Sequence, residues 1–214
     1  MIILFGAEKG GVGKSTLSTN LVGMMSKRSM DVLMIDADPQ PSSSNWVERR
    51  DDDTELNGVT CVRLQGSKIA RQILAQSEKY EHIIIDTGGR DSDELRAAMV
   101  VADKLFIPLK PSQPDAETLV KMEMNIETAG TFRKNDLIVK VIISMASTNT
   151  KVKEFEELIE VLEDFEDIGL VDKIIKERKI YRDAFKIGRT VEEVYPLDKK
   201  ALSEIEDIFQ EVLS

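Results

Sequence analysis

Short runs of consecutive apolar residues alternate with longer amphipathic stretches along almost the whole chain. The apolar runs predict strands over 2–5, 32–36, 59–64, 82–86, 104–109 and 137–144, with a weaker strand over 170–174. The stretches between them predict helices over 14–28, 68–78, 95–102, 116–128, 152–165, 180–186 and 199–213. Because strands that are apolar throughout are buried on both faces, we predict an α/β fold, with a mostly parallel twisted sheet flanked by helices on both faces.

Two features of the pattern bear on domain organisation. We find no internal repeat and no low-complexity linker, so we expect residues 1–214 to form a single domain. The longest polar stretch, 39–57, is predicted to be a loop.

Composition excludes several classes of protein. With one cysteine, Cys61, the chain has no intramolecular disulfide and too few thiolates for an iron–sulfur cluster, even across a dimer. No apolar run approaches the roughly 20 residues of a membrane span, and the chain begins directly in a strand pattern, so we expect a cytoplasmic protein. The net charge of −10 would repel DNA and anionic lipid, so contact with either needs a local basic patch.

The segment Lys9–Thr16, KGGVGKST, lies between the first predicted strand and the first predicted helix. Glycines let backbone N–H groups converge on an anion, and the helix N-terminus adds partial positive charge. Lys14 is placed to reach the terminal phosphates of a nucleotide, and the Ser15 hydroxyl to bind Mg²⁺. Glu8 occupies the position of the first glycine in the common phosphate-loop pattern, and Lys9 directly precedes the paired glycines. We call Lys9–Thr16 the phosphate loop.

Acidic side chains follow two of the predicted strands. Asp36 and Asp38 come at the end of the second strand, and Asp86 ends the strand that begins at His82. Ligands of open α/β sheets bind at the carboxyl ends of strands. A strand-terminal carboxylate such as Asp86 suits the shell of Mg²⁺, and Asp38 could orient or deprotonate an attacking water.

The three motifs KGGVGKST, IDADPQ and IIIDTGG together resemble the ParA/MinD family of deviant Walker-A ATPases, in particular the small ParA proteins that partition plasmids. The resemblance implies ATP and Mg²⁺ as cofactors, and a homodimer that forms with ATP. It implies catalytic roles for Lys14, for Asp38 and for Lys9, which would reach the phosphates held by the partner subunit. It implies metal roles for Ser15, Asp86 and, in a secondary shell, Asp36. The implied nucleotide contacts are Lys9, Gly10, Gly11, Val12, Gly13, Lys14, Ser15, Thr16, Pro111 and Met145.

Two departures from the family pattern affect these assignments. Many members have two prolines where this chain has Gly88 and Gly89, which we expect to loosen the segment after Asp86. Members often have Arg or Asn near the adenine at the position of Met145, so base contacts there are expected to be apolar or through the backbone.

A basic segment lies within this acidic chain. Residues 173–189 contain seven basic and two acidic residues, a net charge of +5. This composition is typical of a surface that contacts nucleic-acid phosphates, although a solvated helix face has the same appearance. In ParA proteins, basic residues in the C-terminal part bind non-specific DNA. The candidates for DNA binding are Lys176, Arg178, Lys179, Arg182, Lys186 and Arg189.

The resemblance therefore implies an ATPase for DNA partition, with weak intrinsic hydrolysis stimulated by a ParB-like centromere-binding partner and with association to the nucleoid. A ParA-like protein that positions a protein cargo is not separated from this by the sequence. A small-molecule kinase or ligase on the same fold is a third possibility. A MinD-like membrane ATPase is disfavoured because the C-terminal helix 199–213 is acidic rather than basic, so we expect no membrane partner.

Overall fold

A computed structural model describes residues 1–66, 68–112, 118–148 and 158–214. Its strands form one seven-stranded sheet in which every pairing is parallel, in the order β3-β2-β4-β1-β5-β6-β7. The strands are β1 (Ile2–Phe5), β2 (Val32–Ala37), β3 (Thr60–Arg63), β4 (His82–Thr87), β5 (Lys104–Leu109), β6 (Ile138–Ala146) and β7 (Ile168–Lys176).

Helices connect the strands and cover the sheet. They are α1 (Lys14–Lys27), α2 (Ser42–Asp51), α3 (Ile69–Ser77), α4 (Asp93–Val101), α5 (Thr118–Gly130), α6 (Lys179–Lys186) and α7 (Lys199–Leu213). Residues 158–162 are also helical, and Val191–Glu193 form a 3₁₀ turn. The predicted fold class is confirmed.

Two apolar layers hold the helices to the sheet. Side chains on one face of β1, such as Leu4, pack with α3, α4 and α5, while those on the other, such as Phe5, pack with α1, α2, α6 and α7. Strands β1, β2 and β5 are buried on both sides, which explains their continuous apolar sequence. Within the described residues, no helix is both long enough and apolar enough to cross a bilayer.

The register of the central strands aligns the acidic positions. Asp36 of β2 lies directly opposite Asp86 of β4, and Asp86 lies opposite Phe5 at the end of β1. The phosphate loop begins shortly after Phe5. The sheet therefore presents the phosphate loop and both strand-end aspartates at the same edge.

The sequence interpretation differs from the structure at three places. The predicted loop 39–57 contains helix α2, so that prediction was wrong over Ser42–Asp51. The weak strand 170–174 is the nine-residue strand β7, whose inner side chains are buried against α7. The helix predicted over 152–165 ends at residue 162; residues 152–157 of that prediction, and residues 116–117 of the helix predicted over 116–128, lie outside the described residues.

Candidate functional site: a phosphate loop facing two strand-end aspartates

The phosphate loop wraps a cleft of about 640 Å³. Gly11 and Gly13 adopt φ angles of 70° and 96°, which side chains other than glycine rarely tolerate. Val12 instead points its side chain into the core, so that it would meet a ligand only through its backbone. The hydroxyl of Ser144, in β6, donates a 2.5 Å hydrogen bond to the carbonyl of Val12 and ties the loop to the sheet. The loop is therefore held in an anion-binding conformation by its own packing.

Lys14 lies within this loop at the first position of α1. Its side chain is only 5% exposed, and its Nζ donates a 2.8 Å hydrogen bond to the carbonyl of Lys9. Burial lowers the pKa of Lys14, while the nearby carboxylates of Asp86 and Asp38 oppose that shift. A buried ammonium group that faces a polar cleft is suited to bind a phosphate group.

Asp86 is completely buried at the end of β4. The Ser43 hydroxyl donates a 2.5 Å hydrogen bond to its Oδ2, whereas its Oδ1 has no hydrogen-bond partner among the described residues. Burial raises the pKa of Asp86 to about 7, against the lowering effect of the Ser15 and Ser43 hydroxyls. An unpartnered buried carboxylate oxygen beside a serine hydroxyl matches the oxygen ligands that Mg²⁺ prefers.

Asp36 has a different environment from Asp86. Its Oδ2 accepts hydrogen bonds of 2.8 Å from both the backbone N–H and the hydroxyl of Ser44, and its Oδ1 accepts one of 3.1 Å from the Asp38 N–H. Both oxygens thus fix the first turn of α2 and the loop before it. A metal role for Asp36 stays a prediction, and these bonds would restrict it to an indirect contact.

Asp38 lines the cleft and is partly exposed. Its Oδ1 accepts a 2.9 Å hydrogen bond from the backbone N–H of Gln40. The carboxylate faces the same space as Lys14 and Ser15, where a water molecule near a bound phosphate could be oriented.

The two glycines after β4 allow a very close backbone contact. A Cβ atom on Gly89 would lie 2.4 Å from the N and Cα atoms of Gly10, and one on Gly88 would lie 3.3 Å from Asp38 Oδ1. We call Gly88–Asp91 the post-β4 segment. Where the sequence suggested a loose segment, the glycines allow it to pack directly on the phosphate loop.

The two predicted adenine contacts are placed differently. Met145 lines a small second cavity of about 50 Å³ beside the phosphate loop, together with Gly13 and Thr16. Its φ of 53° is unusual for a residue with a side chain. Pro111 is buried just after β5 and, as far as the described residues define these cavities, lines neither of them.

The predicted DNA-binding residues fall into two groups. Arg178 pairs with Glu204 of α7, and Arg189 pairs with Asp53, so both contribute to tertiary structure. The side chains of Lys179 and Arg182 are 83% and 63% exposed on α6. Among the described residues, Lys179 pairs with Asp183 and Arg182 with Glu177, both close in sequence. The residues of this set that face solvent most openly are Lys179, Arg182 and Lys186.

Lys176 belongs to a separate basic cleft. This cleft, of about 460 Å³, is lined by Lys176 and Arg178 together with Lys199 and Lys200 from the start of α7. The sequence interpretation did not include the two α7 lysines, although their adjacency at the start of an otherwise acidic helix was visible. It also missed Ser43 and Ser44, because the helix that places them beside the aspartates was not predicted.

The fold and the site together define a phosphate-loop nucleotide-binding protein. The sequence profile of the family described as "CobQ/CobB/MinD/ParA nucleotide binding domain" matches residues 3–191. The chain therefore belongs to this family, whose ParA and MinD members are nucleotide-binding ATPases.

Individual relatives agree with this assignment. The chain is 25% identical over 209 residues to the "Maintenance of carboxysome distribution protein A" of Halothiobacillus neapolitanus, covering 96% of this chain and 93% of that protein. It is 33% identical over 114 residues to the protein of the same description from Gloeobacter kilaueensis, covering 53% of this chain and half of that protein. The solved structure of apo McdA from Cyanothece superposes with a TM-score of 0.78 at 19% identity, over 100% and 99% of the two chains, which shows the shared fold.

Proposed function

We propose that this protein is a ParA-type ATPase in which bound ATP joins two copies of the chain, and in which the dimer binds DNA without sequence preference. The observation that carries the proposal is the position of Lys9. It lies in the phosphate loop one residue before Gly10, and its carbonyl accepts the hydrogen bond from the buried Lys14. A second cation beside the phosphate-binding lysine is suited to phosphates presented from outside the subunit, which makes the nucleotide part of a dimer interface.

Each residue of the cleft then has a defined task. Lys14 and the loop N–H groups would hold the phosphates, while Ser15 and Asp86, whose Oδ1 has no hydrogen-bond partner among the described residues, would hold Mg²⁺. Among the described residues, no cluster of three or more His, Cys, Asp or Glu side chains could hold a metal by itself. The ion would therefore be bound jointly with nucleotide phosphates, where it would neutralise phosphate charge. Asp38 orients the attacking water and accepts its proton.

Hydrolysis by such a site is expected to be slow in the isolated protein and faster with a partner. Asp38 Oδ1 already accepts a hydrogen bond of 2.9 Å from the Gln40 N–H, and the side chain is partly exposed at the mouth of the cleft. A partner that closes this mouth would exclude water other than the attacking molecule and fix the carboxylate. We propose a ParB-like protein, or its functional counterpart on another cargo, for this role.

The proposed DNA surface is the exposed face of α6. Lys179, Arg182 and Lys186 present three exposed cations on one face of α6 in a protein of net charge −10, and this face would attract nucleic-acid phosphates. Lys199 and Lys200, in the separate basic cleft at the start of α7, form a second group of cations. Binding of DNA by this face would place the protein on the nucleoid.

The membrane alternative has structural evidence against it. The apolar side chains of α7, including Ile205, Phe209 and Val212, are buried against the sheet. An amphipathic helix binds lipid with its apolar face, and that face of α7 is already covered by protein. We therefore propose DNA rather than a membrane as the surface on which the dimer moves.

A second candidate function concerns the cargo. Both curated relatives described above are named for carboxysome distribution, so a protein assembly is a cargo that this chain could position by the same ATP-dependent cycle. The partition of DNA and the positioning of a protein assembly share the nucleotide site and the DNA surface. They differ only in the partner that stimulates hydrolysis.

The proposal is tested by measuring binding to non-specific duplex DNA under three conditions: without nucleotide, with ADP and with ATP. We expect binding with ATP alone, and we expect the charge reversals Lys179→Glu, Arg182→Glu and Lys186→Glu, combined in one protein, to abolish it. A matched control reverses three exposed cations elsewhere, Arg71, Lys79 and Lys134, with the same change in net charge. No binding by the wild type with ATP, or equal losses in both triple variants, would contradict the proposed surface.

A further inference from the structure

One amide group joins the phosphate loop to the post-β4 segment. The Nδ2 atom of Asn125, on α5, donates hydrogen bonds to Glu8 Oε1 at 3.1 Å and to Asp91 Oδ1 at 3.3 Å. Glu8 directly precedes Lys9, and Asp91 ends the post-β4 segment. Asn125 therefore connects the residue before Lys9 with the segment that follows Asp86.

A second contact holds the other side of Lys9. Gly89 packs so closely on Gly10 that a Cβ atom would approach the Gly10 backbone to 2.4 Å. Lys9 thus lies between one residue that is hydrogen-bonded through Asn125 and another that is packed against Gly89. The post-β4 segment cannot move away from the phosphate loop without breaking one of these contacts or carrying the backbone of Lys9 with it.

Charge explains why an amide is suited to the bridging position. Glu8 and Asp91 are both carboxylates and repel each other, and Arg96 forms an ion pair with the same Asp91 oxygen, Oδ1, that accepts the hydrogen bond from Asn125. Burial raises the pKa of Glu8, and Asp91 raises it further, while Lys121 and Arg96 lower it. The Asn125 NH₂ group is a neutral donor that satisfies both acidic groups at once.

We propose that Asn125 is a positioning residue for Lys9, which couples the orientation of the phosphate loop to the post-β4 segment. Asn125 does not line the nucleotide cleft as the described residues define it, so it acts through Glu8 and Asp91 rather than on the nucleotide. This inference rests on the proposed role of Lys9 in an ATP-bound dimer.

Substitution of Asn125 by Asp tests the bridge. Asn125→Asp keeps the shape of the side chain and replaces the donor with a third carboxylate. We expect ATP affinity to stay within about threefold of wild type, because Lys14 and the loop amides are unchanged. We expect ATP-dependent dimerisation and kcat to fall about tenfold or more, because Lys9 is misplaced. The melting temperature without nucleotide is expected to fall below that of Glu127→Gln, a control at an exposed position of the same helix, because three carboxylates then lie together, but the variant is expected to remain folded.

A second substitution tests whether the loss in Asn125→Asp comes from the contact with Glu8. Glu8→Gln in the Asn125→Asp background restores a donor and an acceptor with their directions exchanged, and we expect it to recover most of the lost dimerisation and kcat. Activity of Asn125→Asp equal to that of Glu127→Gln, or a loss that Glu8→Gln does not recover, would overturn the inference. Wild-type protein measured in parallel separates the two proposals, since its failure to dimerise with ATP would instead contradict the proposed function.

Discussion

The guanidinium group of Arg50 donates two hydrogen bonds to the carboxylate of Glu193, at 2.8 and 2.7 Å, although 143 residues separate them in the sequence. Both side chains are buried, and the indole of Trp46 lies beside the guanidinium carbon at 5.2 Å from the ring centre. This ion pair fastens α2, whose first turn contacts Asp36 and Asp86, to the turn that follows α6. It joins the nucleotide side of the molecule to the basic C-terminal segment.

Removal of the charge on Glu193 should destabilise the fold. We expect Glu193→Gln to lower the free energy of unfolding by about 3 kcal/mol at pH 7, because Arg50 is left buried without its counter-ion. Urea denaturation measures this. The control Glu192→Gln, whose carboxylate pairs with the partly exposed Arg28, should cost about 1 kcal/mol or less. Equal losses of unfolding free energy in the two variants would show that the buried pair stabilises the fold no more than the Glu192 pair does.

The same pair predicts the direction of a pH effect. Burial alone would raise the pKa of Glu193, but hydrogen bonds from Arg50 and Thr190 outweigh it and lower the pKa below its ordinary value of 4.5. The charged Glu193 therefore contributes its full stabilisation at pH values above 4.5, its ordinary pKa. This stabilisation is lost as the pH falls through the lower pKa that Glu193 has in the folded protein. We expect the stability difference between wild type and Glu193→Gln to be constant from pH 6 to 8 and to shrink below about pH 4.5. A difference that grew as the pH fell would contradict this.

The close contact of Gly89 with the phosphate loop predicts an effect on nucleotide binding. Gly89→Ala should push the Lys9–Gly10 backbone away and raise the Kd for ATP about fivefold or more, a loss of about 1 kcal/mol. Titration with a fluorescent ATP analogue measures this Kd. Gly58→Ala is the matched control, because a Cβ atom there meets nothing within 4 Å. If the Kd of Gly89→Ala for ATP equals that of the control, the close contact of Gly89 with the phosphate loop does not contribute to nucleotide binding.

Asp86 provides a prediction for the metal-free protein. Burial raises the pKa of Asp86 to about 7, so the buried carboxyl is neutral in the folded protein at acidic pH and costs no stability there. As the pH rises through about 7 the group becomes charged while buried, and this charge is a penalty that lowers the stability of the fold. Asp86→Asn removes this penalty, so with EDTA present the variant should melt at a higher temperature than wild type at pH 8 and at a similar temperature near pH 4. The variant should also lose the tightening of ATP binding that Mg²⁺ gives. A lower melting temperature for Asp86→Asn at pH 8 would contradict the assignment.

Much of this architecture could be predicted from the sequence because the central strands β1, β2 and β5 are buried on both faces. The apolar runs at Ile2–Phe5 and Lys104–Leu109 predicted strands with the observed bounds. The phosphate loop was equally visible, since glycine spacing between a strand and a helix has few other uses. What these segments share is a local pattern that is sufficient to define the structure.

Helix α2 could not be predicted because its stability comes from tertiary contacts. Its first turn is Ser-Ser-Ser-Asn, a sequence of low helix propensity. The structure compensates with the Ser44 bonds to Asp36 and with the burial of Trp46 and Arg50. The only local sign was the four-residue spacing of Trp46 and Arg50, which places both on one helix face.

The basic segment shows a different limit of the sequence. Composition identified an excess of positive charge but not its partners. Arg178 pairs with Glu204 and Arg189 with Asp53, at separations of 26 and 136 residues. A charge count along the chain cannot separate such structural cations from exposed ones such as Lys179, since the distinction depends on which acidic side chains the fold brings near.

Sedimentation of the purified protein with ATP, as wild type and as Lys9→Ala, tests the central claim most directly. Asp38→Ala, which should bind ATP and hydrolyse it poorly, provides the trapped reference state. We expect wild type and Asp38→Ala to form dimers with ATP and to be monomers with ADP, and Lys9→Ala to remain a monomer with either nucleotide while still binding it through Lys14. A Lys9→Ala protein that dimerises with ATP as wild type does would contradict the account.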